Sequence, residues 1–209
     1  REELLCLQEL CGDGSGRWLE VGVGTGRFAA ALGIAYGLDV SREMAARAAG
    51  RGVRVLIGRA ERMPLRTGAF DGMLMALTLC FLDHPEAALR ECARILRPGG
   101  RLVIGTVPAD SPWGRAYIRK GQKGHPAYSH ARFYTIPSVL QLAGEAGFRL
   151  ERGRSALLWE PETRGSDPVE TTPGIRAGAG FVGLLLRGEG EQASDRGPEE
   201  GSARPESGR

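Results

Sequence analysis

The sequence of 209 residues has no apolar run long enough to cross a membrane, and its formal net charge is only +3. A transmembrane helix needs about 20 consecutive apolar residues, and electrostatic binding to nucleic acids or anionic membranes rests on a large basic excess. Neither kind of partner is therefore expected. The chain begins Arg-Glu-Glu-Leu-Leu-Cys, which lacks the basic and then apolar layout of a secretory signal peptide.

Cysteine and histidine are also scarce, with four and three residues. The cysteines are Cys6, Cys11, Cys80 and Cys92. None of them forms a Cys-x-x-Cys pair, so we expect neither a metal site nor a redox site. His125 and His130 lie five positions apart, but no carboxylates cluster around them, and a metal is not predicted there. Unconnected thiols favour a reduced, cytoplasmic setting.

Length and composition predict one domain, since 42% of the residues are apolar and 25% are charged. We place this domain at residues 1–187. From position 188 onward the chain consists mainly of Gly, Glu, Ser, Pro and Arg, which cannot bury enough apolar surface to become ordered. Residues 188–209 are therefore predicted to be a disordered tail. Because the first residue is Arg rather than Met, it stays open whether the N-terminus is processed or truncated.

Short apolar segments alternate with helical patterns, which predicts an α/β fold with a parallel sheet. The run from Phe70 to Leu79 is typical of a strand buried on both faces, and two late strands are predicted at 148–159 and 181–186. The pattern breaks at residues 108–136, which hold three prolines, three tyrosines and two histidines. We interpret this stretch as an inserted lid rather than part of the sheet.

The most informative segment runs from Leu19 to Gly26 and reads Leu-Glu-Val-Gly-Val-Gly-Thr-Gly. A short apolar strand ends there in glycines, which let the backbone turn tightly and approach a ligand. Asp39 stands at the end of the next predicted strand, where a carboxylate can accept hydrogen bonds from ribose hydroxyls. Together these features predict a cofactor that contains a nucleoside.

The glycine loop formally matches the G-x-G-x-x-G/A pattern of dinucleotide sites, which alone is a weak signal. Two details disfavour a nicotinamide or flavin cofactor. Glu20 would face the ligand and repel a pyrophosphate, and Asp39 follows Gly26 by only about 13 positions, which is short for a dinucleotide site. For S-adenosylmethionine the charge of Glu20 is favourable instead, because Glu20 can neutralise the ammonium group of this cofactor. The N–H groups around Gly24 to Arg27 can receive its carboxylate.

Four separated segments carry a resemblance, namely Leu19–Gly26, Asp39, residues 58–65 and residues 96–100. Together they resemble the class I S-adenosylmethionine-dependent methyltransferases, and most of all the small-molecule type similar to ubiquinone/menaquinone-biosynthesis methyltransferases. The resemblance implies a Rossmann-like sheet of seven strands, mostly parallel, with helices on both faces and an antiparallel last strand. It also implies S-adenosylmethionine as the cofactor and a small molecule as the methyl acceptor.

The same resemblance implies which residues bind the cofactor. They are Glu20, Gly22, Gly24, Thr25, Gly26, Asp39, Val40, Ala60, Glu61, Leu77 and Thr78. In the family pattern Val40 packs on the adenine, and Ala60 and Glu61 reach its edge. Leu77 and Thr78 border the site of methyl transfer.

No catalytic residue is identified, but three polar aromatic residues of the lid are candidates for orienting or deprotonating the acceptor. They are His130, Tyr134 and His125. Asp83 and His84 are interpreted as residues that cap the following helix. The acceptor atom stays open, as does the choice between monomer and homodimer. Two other functions also stay open: a non-catalytic regulatory protein that binds S-adenosylmethionine, and a nicotinamide-dependent oxidoreductase.

Overall fold

The structure is a computed structural model that describes residues 1–12, 15–163 and 169–188. The predicted disordered tail, residues 188–209, lies outside the described residues except for Gly188. Gly188 is the last residue of a strand and therefore does not belong to a tail. Among the described residues, no helix has both the length and the apolar character that crossing a bilayer requires.

Helices and strands alternate along the described chain. The helices are α1 (Glu2–Cys11), α2 (Arg27–Leu32), α3 (Arg42–Ala49), α4 (Pro85–Ile95), α5 (Pro112–Gln122) and α6 (Ile136–Glu145). The strands are β1 (Trp18–Val21), β2 (Tyr36–Asp39), β3 (Arg54–Ile57), β4 (Phe70–Ala76), β5 (Leu96–Thr106), β6 (Phe148–Ala156), β7 (Thr172–Pro173) and β8 (Phe181–Gly188). Short 3₁₀ turns cover Leu79–Phe81 and Tyr128–His130.

The strands form one sheet in the order β3-β2-β1-β4-β5-β8-β6-β7. The first five pair in parallel, whereas β8 runs antiparallel between β5 and β6. This confirms the predicted α/β sheet with its antiparallel last strand. The sheet has eight strands instead of seven because two residues, Thr172–Pro173, add β7 at the edge. The strand order reverses between β1 and β4, which opens a crevice at their carboxyl ends.

Helices cover both faces of this sheet. Met73 and Met75 on β4 belong to one buried core together with residues of α4 and α6. Leu74 and Ala76 belong to a second core with residues of α1, α2 and α3. Because side chains alternate between the faces of a strand, the two cores lie on opposite sides of the sheet.

Two predicted strands end earlier than expected, and each ends just before a leucine. Leu77 follows β4 and Leu157 follows β6, and both have a φ of 55°. An L-residue rarely adopts this left-handed conformation, so no sequence pattern marks these breaks. After Leu77 the chain enters the 3₁₀ turn Leu79–Phe81 instead of continuing the strand. The segment 108–136 contains α5 and the second 3₁₀ turn and adds no strand to the described sheet.

Candidate cofactor-binding site

A cavity of about 600 Å³ opens at the carboxyl ends of β1 to β4, which is a volume typical of small-molecule sites. It gathers parts of the chain that are far apart in sequence. The predicted cofactor residues in its lining are Gly22, Gly24, Asp39, Val40, Ala60, Glu61, Leu77 and Thr78. The predicted residues Glu20, Thr25 and Gly26 are not part of this lining.

The carboxylate of Asp39 joins the end of β2 to the glycine loop. Its Oδ2 accepts a hydrogen bond from the Gly24 N–H at 2.7 Å, and its Oδ1 accepts one from the Ser41 N–H at 2.9 Å. Each carboxylate oxygen can accept a further bond, because an ionised carboxylate has about four acceptor positions. Asp39 can therefore hold the loop and also accept hydrogen bonds from a ligand.

Glycine is required at position 22 because β1 and the segment after β4 approach each other closely there. A Cβ on Gly22 would lie 2.3 Å from Cγ2 of Thr78, which is closer than carbon atoms can approach. The Thr78 hydroxyl donates to the Gly22 carbonyl at 3.3 Å. At Gly24, by contrast, a Cβ would meet no protein atom within 4 Å. Since Gly24 lines the cavity, the space beside it is available to a ligand.

Glu20 lies inside β1 with only 1% of its surface exposed. Its Oε2 accepts a hydrogen bond from the Ala29 N–H in α2 at 2.8 Å. Burial raises the pKa of Glu20 to about 8, although the hydrogen bond from Ala29 opposes this rise. The side chain therefore contacts the start of α2 and lies outside the cavity lining, and its predicted role opposite the ammonium group of the cofactor stays a prediction. Its place in the structure is to support the start of α2.

The electrostatics of the cavity come from other residues, which the sequence pattern did not single out as a group. Asp39, Glu61 and Asp83 line it, against the single guanidinium of Arg59. Arg59 bridges the two sides of the opening, with its Nη2 at 2.8 Å from Asp83 Oδ2 and 3.3 Å from Glu61 Oε1. The excess of carboxylates favours a cationic ligand over a pyrophosphate.

The expected capping role of Asp83 and His84 is wrong. Asp83 binds Arg59 instead, and His84 occupies the N-cap position of α4 without a side-chain capping hydrogen bond. Phe81 is a further cavity residue that sequence reasoning missed, and 49% of its surface is exposed. Phe81, Asp83 and His84 all follow the carboxyl end of β4 within eight residues. This position in the chain, rather than any local motif, could have indicated that they lie near the site.

None of the three catalytic candidates in the lid lines this cavity. His130 and His125 are exposed, and the ring of His125 stacks on Tyr128 with centroids 4.4 Å apart. Tyr134 differs from both, because its hydroxyl oxygen is buried and has no hydrogen-bond partner among the described residues. Burial also raises its pKa.

The lid nevertheless contacts the segment that follows β4. The Arg132 N–H donates to the Cys80 carbonyl at 2.7 Å. The guanidinium of Arg132 also lies 5.3 Å from the ring centroid of Tyr134. The part of the lid just before α6 is therefore held next to one wall of the cavity.

Comparisons with known proteins agree with this arrangement. The family described as "Methyltransferase domain" matches residues 19–104. An uncharacterized protein of Mycobacterium tuberculosis is 42% identical over 180 residues, which are 86% of this chain and 63% of that protein. The chain thus spans 63% of the length of this relative. An uncharacterized protein of Methanocaldococcus jannaschii is 37% identical over 169 residues, with 81% and 80% of the two chains covered.

A crystal structure from Thermotoga maritima is similar over most of its length. It is described as an S-adenosylmethionine-dependent methyltransferase and possible histamine N-methyltransferase. The two chains are 38% identical and superpose with a TM-score of 0.84, with 90% of this chain and 88% of the other covered. The family match, over residues 19–104, includes the carboxyl ends of the four strands that form the cavity.

Proposed function

The chain belongs to the class I S-adenosylmethionine-dependent methyltransferases, and we propose that it methylates a small-molecule acceptor by in-line displacement at carbon. Membership of this family implies S-adenosylmethionine as the cofactor. The observation that carries the proposal is the cavity at the carboxyl ends of β1 to β4, where Gly24, Asp39 and Leu77 meet.

The residues of the cavity fit this cofactor. Asp39 would accept hydrogen bonds from the ribose hydroxyls, and Gly24 leaves open space beside the loop. Val40, which is 62% exposed, offers an apolar surface for the adenine at the cavity wall. Leu77 and Thr78 would border the transferred methyl. The three carboxylates of the lining suit the positive charge of S-adenosylmethionine.

When bound, S-adenosylmethionine supplies an electrophilic methyl group on a sulfonium. The residues of the chain then need to align the acceptor with that methyl and keep water away. A general base is required only where the acceptor is still protonated as it attacks. The apolar side chains of Leu77 and Phe81 can exclude water from this end of the cavity.

Of the three lid candidates, we propose Tyr134 as the residue that positions the lid beside the cofactor cavity. Its buried hydroxyl without a partner supports this role, because a buried polar group usually has a hydrogen-bond partner. The hydrogen bond from Arg132 to Cys80, at 2.7 Å, further supports it, since it holds this part of the lid beside the cavity. The exposed His125 and His130 have no comparable support.

We also propose that the protein acts in the cytoplasm, as a monomer or homodimer, without nucleic-acid or membrane partners. Four free cysteines, three of them buried, support a reducing environment. The Thermotoga neighbour's description names histamine, which supports a small molecule as the class of acceptor.

Calorimetry tests the proposal and separates it from the alternatives. We expect S-adenosylhomocysteine to bind with micromolar affinity and NADH not to bind. A panel of acceptors with hydroxyl, amine, thiol and activated carbon nucleophiles then measures methyl transfer. Binding of NADH instead would support an oxidoreductase, and binding of S-adenosylhomocysteine without turnover on any acceptor would support a non-catalytic protein.

A further inference from the structure

A second cavity, of about 780 Å³, borders the same leucine as the cofactor cavity. Its walls come from the start of α1, the outer side of α2 and the residue Arg51, and we call it the α1–α2 groove. Leu77 lines both cavities, so it stands between them. The residue C-terminal to it, Thr78, belongs to the lining of the cofactor cavity only.

We propose that the α1–α2 groove binds the methyl acceptor, and that this acceptor is a small molecule with an apolar body and a carboxylate or phosphate group. The inference rests on the proposed methyltransferase function and adds the chemical class of its substrate. Position, apolar surface and charge each support it.

The position of the groove is the first support. In a transfer between two bound molecules, the acceptor must reach the methyl from a site that adjoins the donor. The α1–α2 groove adjoins the cofactor cavity at Leu77. This leucine has a φ of 55°, and its N–H donates to the Gly105 carbonyl at 2.8 Å. Such strained backbone is concentrated at ligand sites and active sites.

The apolar part of the groove is the second support. Leu4, Phe28 and Leu77 contribute apolar surface to its walls. Phe28 and Leu77 are only partly buried against the core beneath them, so part of each side chain stays available. An aromatic or aliphatic body would cover this surface.

The charge of the groove is the third support. The guanidinium of Arg27 has no hydrogen bond or ion pair within the described part of the chain, and that of Arg51 donates only to the Arg47 carbonyl at 3.3 Å. Some other arginines are paired with a carboxylate, as Arg47 is with Glu43 at 2.7 Å. A guanidinium with free N–H groups matches the oxygens of a carboxylate or phosphate.

The charged residues that line the two cavities, one on each side of Leu77, are therefore of opposite sign. Carboxylates dominate the lining of the cofactor cavity, whereas the α1–α2 groove is lined by Arg1, Arg27 and Arg51 with Glu3 as its one acid. A cationic donor and an anionic acceptor would each meet the opposite charge. The same argument disfavours a cationic amine as the acceptor, so this acceptor would share with the histamine named for the Thermotoga neighbour only its small size.

Binding of matched ligand pairs to the 209-residue chain saturated with S-adenosylhomocysteine tests the proposal. The probes are benzoate, phenylacetate and 4-hydroxybenzoate with their primary amides, and phenyl phosphate with phenol, with affinities measured by ligand-observed NMR. We expect at least one anion to bind about tenfold or more tightly than its neutral counterpart. A preference for carboxylates over phenyl phosphate, or the reverse, identifies the kind of anion.

The double variant R27Q/R51Q should lose this preference, because it removes the two free guanidinium groups. A second double variant, R47Q/R149Q, removes the same two charges from exposed residues outside both cavities and should keep it. Equal binding of acids and amides, no binding of any anion, or a preference that survives in R27Q/R51Q would overturn the proposal.

Calorimetry with S-adenosylhomocysteine on the same proteins distinguishes a failure of the proposed methyltransferase function from a failure of the assignment of the α1–α2 groove. If the wild-type chain does not bind S-adenosylhomocysteine, the proposed function fails, and the anion preference is then read on the chain alone. If it binds and the anion preference is absent, only the assignment of the groove fails. Both double variants should bind S-adenosylhomocysteine as the wild type does if their folds are intact.

Discussion

Asp39 accepts a hydrogen bond from the Gly24 N–H at 2.7 Å, so the carboxylate expected to bind a ribose also fixes the glycine loop. The loop and the end of β2 are thereby held as one unit before any ligand binds. Asp39 accepts a second bond from the Ser41 N–H, at the N-cap of α3. Removing this carboxylate should therefore affect both the fold and the affinity for the cofactor.

The substitution Asp39→Asn tests this double role. Asparagine has one acceptor oxygen, so its NH₂ group must face the N–H of Gly24 or that of Ser41, and one hydrogen bond is lost. We expect the affinity for S-adenosylhomocysteine to fall about tenfold or more and the free energy of unfolding to fall by about 1–3 kcal/mol. Asp110→Asn, on an exposed residue outside the cavity, should change neither. An unchanged affinity in Asp39→Asn would contradict the assignment.

The substitutions Gly24→Ala and Gly52→Ala form a matched pair. Both glycines have a positive φ, of 51° and 86°, and a Cβ at either position would meet no protein atom within 4 Å. Both variants should therefore lose a similar stability of about 1–3 kcal/mol through backbone strain. Only Gly24 lines the cavity, so only Gly24→Ala should weaken the binding of S-adenosylhomocysteine, by about tenfold or more. Equal affinities in the two variants would count against this cavity as the cofactor site.

The buried Glu20 predicts a pH dependence of stability. Its pKa is about 8 in the folded chain against 4.5 in the reference state, so the folded state binds more protons between these pH values. The contribution of Glu20 to stability is thus present below pH 4.5 and is lost as the pH rises towards 8. The variant Glu20→Gln can still accept from the Ala29 N–H but does not titrate.

We therefore expect Glu20→Gln to gain stability relative to the wild type as the pH rises, by up to roughly 5 kcal/mol, with the gain levelling off above the folded pKa. Chemical denaturation of both proteins without ligand, at a series of pH values, measures this difference. Parallel stability curves for the two proteins would show that Glu20 does not titrate in this range.

Tyr134→Phe separates a structural role of the lid from a functional one. The hydroxyl is buried without a partner among the described residues, so its removal should raise the free energy of unfolding by about 1 kcal/mol. If Tyr134 positions the lid beside the cofactor cavity, kcat should fall in the same variant. His130→Ala should change neither quantity, since its ring is exposed. Full turnover in Tyr134→Phe would remove this residue from the mechanism.

Much of the fold could be predicted because its signals are local. The helix Glu2–Cys11 and the strand Trp18–Val21 are marked in the sequence by apolar spacing and by the glycines that follow them. Ser41 caps α3 by accepting from the Met44 N–H at 3.3 Å, and serine is a preferred residue at this position. The parallel sheet followed from the alternation of strands and helices, and the glycine loop with Asp39 indicated the place of the cofactor cavity.

The rest depended on contacts between distant residues. The direction of Glu20 follows from the position of α2, and the bond between Arg59 and Asp83 joins two loops that are 24 positions apart. The strands β4 and β6 stop just before Leu77 and Leu157, which adopt a left-handed conformation. Leucine rarely adopts this conformation, so the sequence does not predict where these strands end. The α1–α2 groove likewise appears only after folding, because its arginines come from separate segments of the chain.

A crystal structure of the chain with S-adenosylhomocysteine tests the central claim most directly. The account predicts the ligand in the cavity at the carboxyl ends of β1 to β4, with the ribose hydroxyls within hydrogen-bond distance of Asp39. It also predicts the adenine against Val40 and the sulfur beside Leu77, on the side of the α1–α2 groove. A ligand bound elsewhere, or a cavity still empty at a saturating concentration, would contradict the account.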